Sequence, residues 1–192
     1  MKRNLFKKGF TLVELLVVMA IIGILATVII SGFRASQRRS RDAKRKSDLR
    51  QIGQAMELFY SDHDFYPANS IDGNIEGCPF VSPTPTTCVW NHGGADTGKF
   101  EDADMGRLYF RELPNDIIND LTYFYISDGQ SFQVFAHLEN EEDQNCIRGV
   151  AGESDCVNPT LPTTAPACGS DLVEDVCNFA VTSTDVTPSD DI

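Results

Sequence analysis

Apolar and polar positions divide the chain into unlike stretches. From Phe10 to Ile30 every residue is apolar or small except Thr11, Glu14 and Thr27. At about 1.5 Å per residue, those 21 residues make roughly 30 Å of helix, the thickness of a bilayer's hydrocarbon core. A discarded secretory signal would have a shorter apolar region with a small-x-small cleavage site behind it. The run therefore predicts a membrane anchor that stays with the protein. Beyond it the pattern changes: Leu49, Ile52, Met56 and Phe59 recur at i, i+3, i+7 and i+10, with Arg50, Gln51, Gln54 and Glu57 off the stripe. That is the spacing of a helix with one buried face. A single helix from about Phe10 to about Tyr60 is expected, weakest at Ser31-Gly32 because a Gly/Ser pair is a kink site. Turn formers and a proline, Tyr60 to Pro67, close it.

Strand patterning is confined to one region. Leu121 to Ile126 is β-branched and aromatic, Ser127-Asp128-Gly129-Gln130 supplies a turn, and Ser131 to Leu138 alternates with Phe132, Val134, Ala136 and Leu138 on one face. Two such runs joined by an Asp-Gly turn predict a hairpin. Residues 68–106 mix Pro, Gly, Thr and Asp irregularly and read as a long loop.

Charge is distributed with a sharp polarity inside the net −12. Residues 1–8 hold four basic side chains and no acid, and residues 34–50 hold eight basic residues against Asp42 and Asp48. From residue 51 onward there are four basic residues and 25 acids, a surface that repels phosphate, so no nucleic-acid partner is expected. The basic stretch from Arg34 to Arg50 conflicts with the preference for Lys and Arg on the cytoplasmic side. It reads as lying at lipid headgroups, against the acidic domain of an adjacent subunit, or as a solvated helix face. Cys78, Cys88, Cys146, Cys156, Cys168 and Cys177 all lie in the acidic part, as consecutive pairs with nine, nine and eight residues between them. An even count beyond a membrane segment reads as disulfides in an oxidising compartment. Buried free thiols are the alternative, and no C-x-x-C or Cys/His cluster points to zinc.

The junction between leader and apolar run carries the most information. Lys7-Lys8-Gly9-Phe10-Thr11-Leu12-Val13-Glu14 ends a basic leader in glycine, follows it with an aromatic residue and places an acid four residues on. The run Gly9 to Leu16 resembles the processing signature of type IV prepilins and type II secretion pseudopilins. The resemblance implies cleavage after Gly9 by a membrane prepilin peptidase, which then methylates the new amine on Phe10. Independently, a carboxylate within hydrocarbon costs about 2.5–3.5 kcal/mol on insertion scales and is normally functional. Glu14, one turn from Phe10, is placed to pair with that amine in its own chain or, after a stagger, in a neighbour, where it would set the register of assembly. The plainer reading is an acid near a helix N-terminus, favoured there by the dipole. Many family members carry a proline in the membrane half of the helix; this chain has none. The helix leading into an aspartate-rich turn and Tyr66-Pro67 is similar to the major pseudopilins, and Leu113-Pro114-Asn115-Asp116 resembles the entry to their sheet, although Ile117 stands where the family's proline follows the aspartate.

The expected fold class is α+β: a long N-terminal helix, first transmembrane and then amphipathic, packed on a small antiparallel sheet, with a loop-rich, disulfide-stapled C-terminal region. The divisions are a cleaved leader at 1–9, a transmembrane and assembly helix at 10–31, its amphipathic continuation at 32–61, a small globular domain at 62–138 with its hairpin at 121–138, and an acidic extension at 139–192. Glu139, Glu141, Glu142 and Asp143 could supply oxygen ligands to calcium, which some pseudopilins bind near their sheet. Their spacing is not that of an EF-hand, and a solvated acidic loop is the alternative.

The function implied is a structural subunit of a type IV pilus-like or pseudopilus filament. It would be stored in the cytoplasmic membrane with its globular part outside, then polymerised with its own kind into a cell-surface or periplasmic filament. An assembly platform and an ATPase are partners by resemblance. A single-pass anchored binding protein that does not polymerise is the alternative. Enzymatic signatures such as a P-loop, H-E-x-x-H or G-x-S-x-G are absent from the sequence, and His63, His92 and His137 are isolated from one another.

Overall fold

The computed structural model describes residues 10–90, 99–140, 142–147, 168 and 177–183, with backbone alone at 28–32. The chain falls into two compact units, Met1–Ser40 and Arg41–Ile192, and one helix, α1 (Leu12–His63), contributes to both. Within the first unit α1 passes Ser31-Gly32 as helix. It ends at Asp64, whose left-handed φ of 61° stops the helical repeat.

In the second unit the predicted stripe is the buried face of α1: Leu49, Ile52, Ala55, Met56 and Phe59 all join the main core. They pack on a three-stranded antiparallel sheet of order β3 (Phe124–Ser127), β4 (Phe132–Ala136), β5 (Phe179–Thr182). Side chains alternate between two clusters in all three strands, as the pleat requires. Tyr125, Phe132, Val134, Ala136 and Phe179 enter the core shared with α1, while Phe135 packs on Cys168 and Cys177 with Phe124, Ile126 and Ala180 against them. At Gly53 the helix approaches the sheet closely, since a Cβ there would meet Val181 Cγ1 at 3.2 Å.

The expected hairpin is β3–β4, paired from Phe124↔Phe135 to Ser127↔Phe132. Its turn is built by Asp128, whose Oδ1 accepts from the amides of Gln130 and Ser131 at 2.8 and 2.7 Å, and by Gly129 at a φ of 85°.

Three strands lie outside the region where strands were expected. A second sheet pairs β1 (Phe100–Asp102) with β2 (Arg107–Phe110) antiparallel, within and beyond the segment read as loop. Phe100 and Tyr109 from this ribbon pack on Phe59 at ring-centroid distances of 5.4 and 5.2 Å. The stretch read as an appended extension supplies β5, so it is part of the sheet at residues 179–182.

Candidate functional site

Thr11 stands immediately before the first helical residue, and its Oγ1 accepts from the Glu14 amide at 3.2 Å. In return Glu14 Oε2 accepts from the Thr11 amide and the Thr11 hydroxyl, each at 2.8 Å. This reciprocal pair is a capping box, which satisfies first-turn donors that an α-helix leaves open. The Thr-x-x-Glu spacing therefore fixes where α1 begins. Phe10 is 88 % exposed, and Gly9 lies outside the described residues.

Downstream, Leu12, Val13, Leu15, Leu16, Ile21, Ile22, Ile24 and Leu25 are all exposed. Successive residues are turned by about 100° around the axis, so apolar side chains cover the whole circumference. A helix apolar on every side is stable only when something else covers it. Within the apolar stretch from Leu15 to Thr27, the hydroxyl present, Thr27 Oγ1, donates back to the Ile24 carbonyl at 2.7 Å, which removes a polar group from competition with an apolar environment. Among the described residues no helix is long and apolar enough to cross a membrane.

Within the second unit, Arg41, Arg45 and Lys46 of the basic stretch pair with acids of that same unit, and Arg45 is buried, which the sequence reading did not foresee. Arg45 falls four residues before Leu49 on the same stripe and is 0 % exposed. Its guanidinium forks onto Asp116, Nε to Oδ2 at 2.6 Å and Nη2 to Oδ1 at 2.8 Å. Its Nη1 donates to Asp42 Oδ1 at 2.9 Å and Glu139 Oε1 at 2.8 Å. Burial alone would lower the Arg45 pKa, but the hydrogen bonds and charges of Asp116 and Glu139 more than offset it and hold the pKa above its ordinary value. Glu139 is also bonded by Arg41 through both carboxylate oxygens, and that contact first, then Arg45, brings its pKa down to about 2. Asp42 additionally accepts the amides of Glu139 and Asn140 at 3.0 and 2.9 Å. The cluster thus ties the chain leaving β4, and the Asp116 loop, to one turn of α1. Beside it Asp48 accepts from the Tyr123 hydroxyl at 3.0 Å, and its pKa is raised chiefly by burial.

These contacts decide where the calcium candidates go. Glu139 is engaged by two arginines, Asp143 pairs with Lys46 at 2.5 Å, Glu142 is exposed, and Glu141 lies outside the described residues. Among the described residues no three His, Cys, Asp or Glu side chains come together in a way that could hold a metal. At the far end of α1, His63 Nε2 lies 2.9 Å from the buried Asp102 Oδ2, although that oxygen has no aligned hydrogen-bond donor among the described residues. Tyr109 donates to Asp62 at 2.9 Å and Arg107 to the other Asp62 oxygen at 2.7 Å, so this cluster fastens the β1–β2 ribbon to the helix end. His92 lies outside the described residues. Of the cysteines, Cys78 is bridged to Cys88 and Cys168 to Cys177, Cys146 is disulfide-bonded, and Cys156 lies outside the described residues.

Comparison with known proteins agrees with the N-terminal signature. A family model described as the prokaryotic N-terminal methylation motif matches residues 6–30. The type IV major pilin protein PilA of Myxococcus xanthus is 44 % identical over 59 residues, 31 % of this chain and 27 % of that pilin. Likeness to the type II secretion system core protein G extends further. The Vibrio cholerae protein is 26 % identical over 70 % of this chain and 82 % of its own length, and the Klebsiella pneumoniae protein is 31 % identical over 67 % of this chain and 80 % of its own. No solved structure matches significantly. These relatives are filament-type structural proteins rather than enzymes. With a matching N-terminal motif and a relative of this identity covered over four-fifths of its length, the chain belongs to the type IV pilin and type II secretion pseudopilin family.

Proposed function

We propose that the chain is a structural subunit of a pilus-like or pseudopilus filament, stored in the cytoplasmic membrane and polymerised through the N-terminal half of α1. The observation that carries this reading is the segment from Phe10 to Leu25, exposed and apolar around its whole circumference yet opened by a carboxylate. Withdrawing each such Val, Leu or Ile from water is worth about 1.5–3 kcal/mol, so the segment is driven into lipid and then into a bundle of its own copies.

In this reading a prepilin peptidase cuts after Gly9 and methylates the amine of Phe10. The new positive charge is the counter-ion of Glu14 in the adjacent subunit, which fixes the stagger. An assembly platform and ATPase extract the subunits, and the filament forms in the periplasm or on the cell surface. The longer match to core protein G favours the pseudopilus over the pilus. Mass spectrometry of the native protein is expected to find a methylated Phe10 at the N-terminus. Electron microscopy of a Glu14→Ala strain is expected to find no filaments although leader removal is intact. A functioning protein that keeps residues 1–9, or normal filaments from the variant, would overturn the reading.

A further inference from the structure

Eight basic residues run from Arg34 to Arg50; Arg50 is exposed in the second unit, and the structure separates the other seven into two sets. Arg41, Lys44, Arg45 and Lys46 are engaged within the second unit, on Glu139, Asp48, Asp42, Asp116 and Asp143. Arg34, Arg38 and Arg39 belong to the first unit and are exposed. None of them has an ion-pair partner among the described residues.

Their position relative to the apolar run is set by helix geometry. Arg34 follows Ile30 by about 6 Å along the axis and Arg39 by about 13 Å, at about 1.5 Å per residue. The headgroup layer outside a hydrocarbon core is roughly 5–7 Å deep on each side. Side chains of a helix lean toward its N-terminus, here back toward the apolar run, and a long arginine extends further in that direction while keeping its charged end wet. All three guanidiniums therefore reach the headgroup layer when Phe10 to Ile30 fills the core. A guanidinium meets a phosphate with two parallel hydrogen bonds. A carboxylate on a second subunit accepts the same fork, but for a single subunit stored in the bilayer the anions at this depth are the headgroup phosphates.

We propose that Arg34, Arg38 and Arg39 bind the phosphates of anionic phospholipid headgroups on the extracytoplasmic face while the subunit is stored in the membrane. The proposal rests on the membrane-storage reading above. It also explains why the basic flank stands on the side that Lys and Arg normally avoid. Once the leader is gone, these arginines are the basic side chains left nearest the apolar run, and they hold the subunit at its depth until extraction.

The test uses the full chain reconstituted in phosphatidylcholine bilayers containing trace spin-labelled phosphatidylglycerol or phosphatidylcholine. The fraction of each label slowed by the protein is read by electron paramagnetic resonance. At low salt the unaltered chain is expected to prefer phosphatidylglycerol. The triple variant R34Q/R38Q/R39Q is expected to lose about fivefold or more of that preference, while R50Q, exposed but far from the run, keeps it. An unchanged preference in the triple variant overturns the proposal, with the storage reading left standing because slowed lipid is still seen. If instead the triple variant alters only salt-dependent self-association, a second copy is the occupant and the proposal fails. Absence of slowed lipid for the unaltered chain defeats the storage reading itself, and the proposal with it.

Discussion

Arg45 occupies a place on the helix where periodicity asks for an aliphatic side chain. A lone charge there would be ruinous, and it is tolerated because three carboxylates converge on it. Removing the guanidinium leaves Asp42 and Asp116 buried and uncompensated, so Arg45→Ala is expected to cost about 3–5 kcal/mol in urea unfolding. Arg45→Lys keeps the charge but loses the fork onto Asp116, and should fall between the two. The pH dependence follows from Glu139, whose carboxyl titrates near 2 in the folded chain against 4.5 for an unperturbed group. A depressed carboxyl contributes stability that is fully present above its unfolded value and is lost as the pH falls from about 4.5 to about 2. Asp48, shifted upward, works in the opposite sense and softens that fall. Unfolding measured across this range should show a shallower acid limb in Glu139→Gln than in the unaltered chain. The phase of Arg45 with Leu49 and Ile52 was visible in the sequence and is the signal that this charge is buried. Its partners were not, because Asp116 and Glu139 lie 71 and 94 residues away and only the fold brings them near.

At the scale of elements, local patterning was legible where a segment was long or strictly periodic. The stripe from Leu49 to Phe59 and the hairpin around Asp128-Gly129 follow from spacing and turn chemistry alone. The ribbon β1–β2 and strand β5 are three or four residues each, too short for alternation to stand out from the turn formers around them. Tertiary contacts make them strands: Phe100 and Tyr109 against Phe59, Phe179 and Val181 against the core. The approach of the helix to the sheet is testable. At Gly53 even a Cβ would lie 3.2 Å from Val181 Cγ1 and 3.7 Å from Phe132 Cζ, so Gly53→Leu overfills the helix–sheet contact. A loss of about 1–3 kcal/mol is expected in thermal or urea unfolding, despite leucine's better helix propensity. Full stability in that variant would mean the helix does not lie on β4 and β5 as described. The capping box at Thr11 and Glu14 was within reach of the same kind of reading, since its Thr-x-x-Glu spacing is explicit. The place of Glu14 near a helix N-terminus was legible in the sequence; its reciprocal bonds with Thr11 are what the structure adds.

For the molecule as a whole, cystines stand in for the breadth of core that a small sheet lacks. The Cys168–Cys177 bridge packs on Phe135 behind β4 and leads directly into β5. Replacing both cysteines by alanine is expected to cost about 2–3 kcal/mol for a loop of this length, seen as a lower midpoint in unfolding and as faster proteolysis near residue 179. The strand it positions pairs Ala136 with Phe179 and Gln133 with Thr182, partners far apart along the chain. During export, β4 must therefore emerge and wait with one margin open until the residues near 180 follow it across. Any chain that stalls or is clipped in between presents a bare, apolar strand edge to its neighbours, an invitation to misassociation. For a subunit that, in the function proposed above, meets other copies in a single alignment, late closure of that edge separates the wrong kind of self-recognition from the right one.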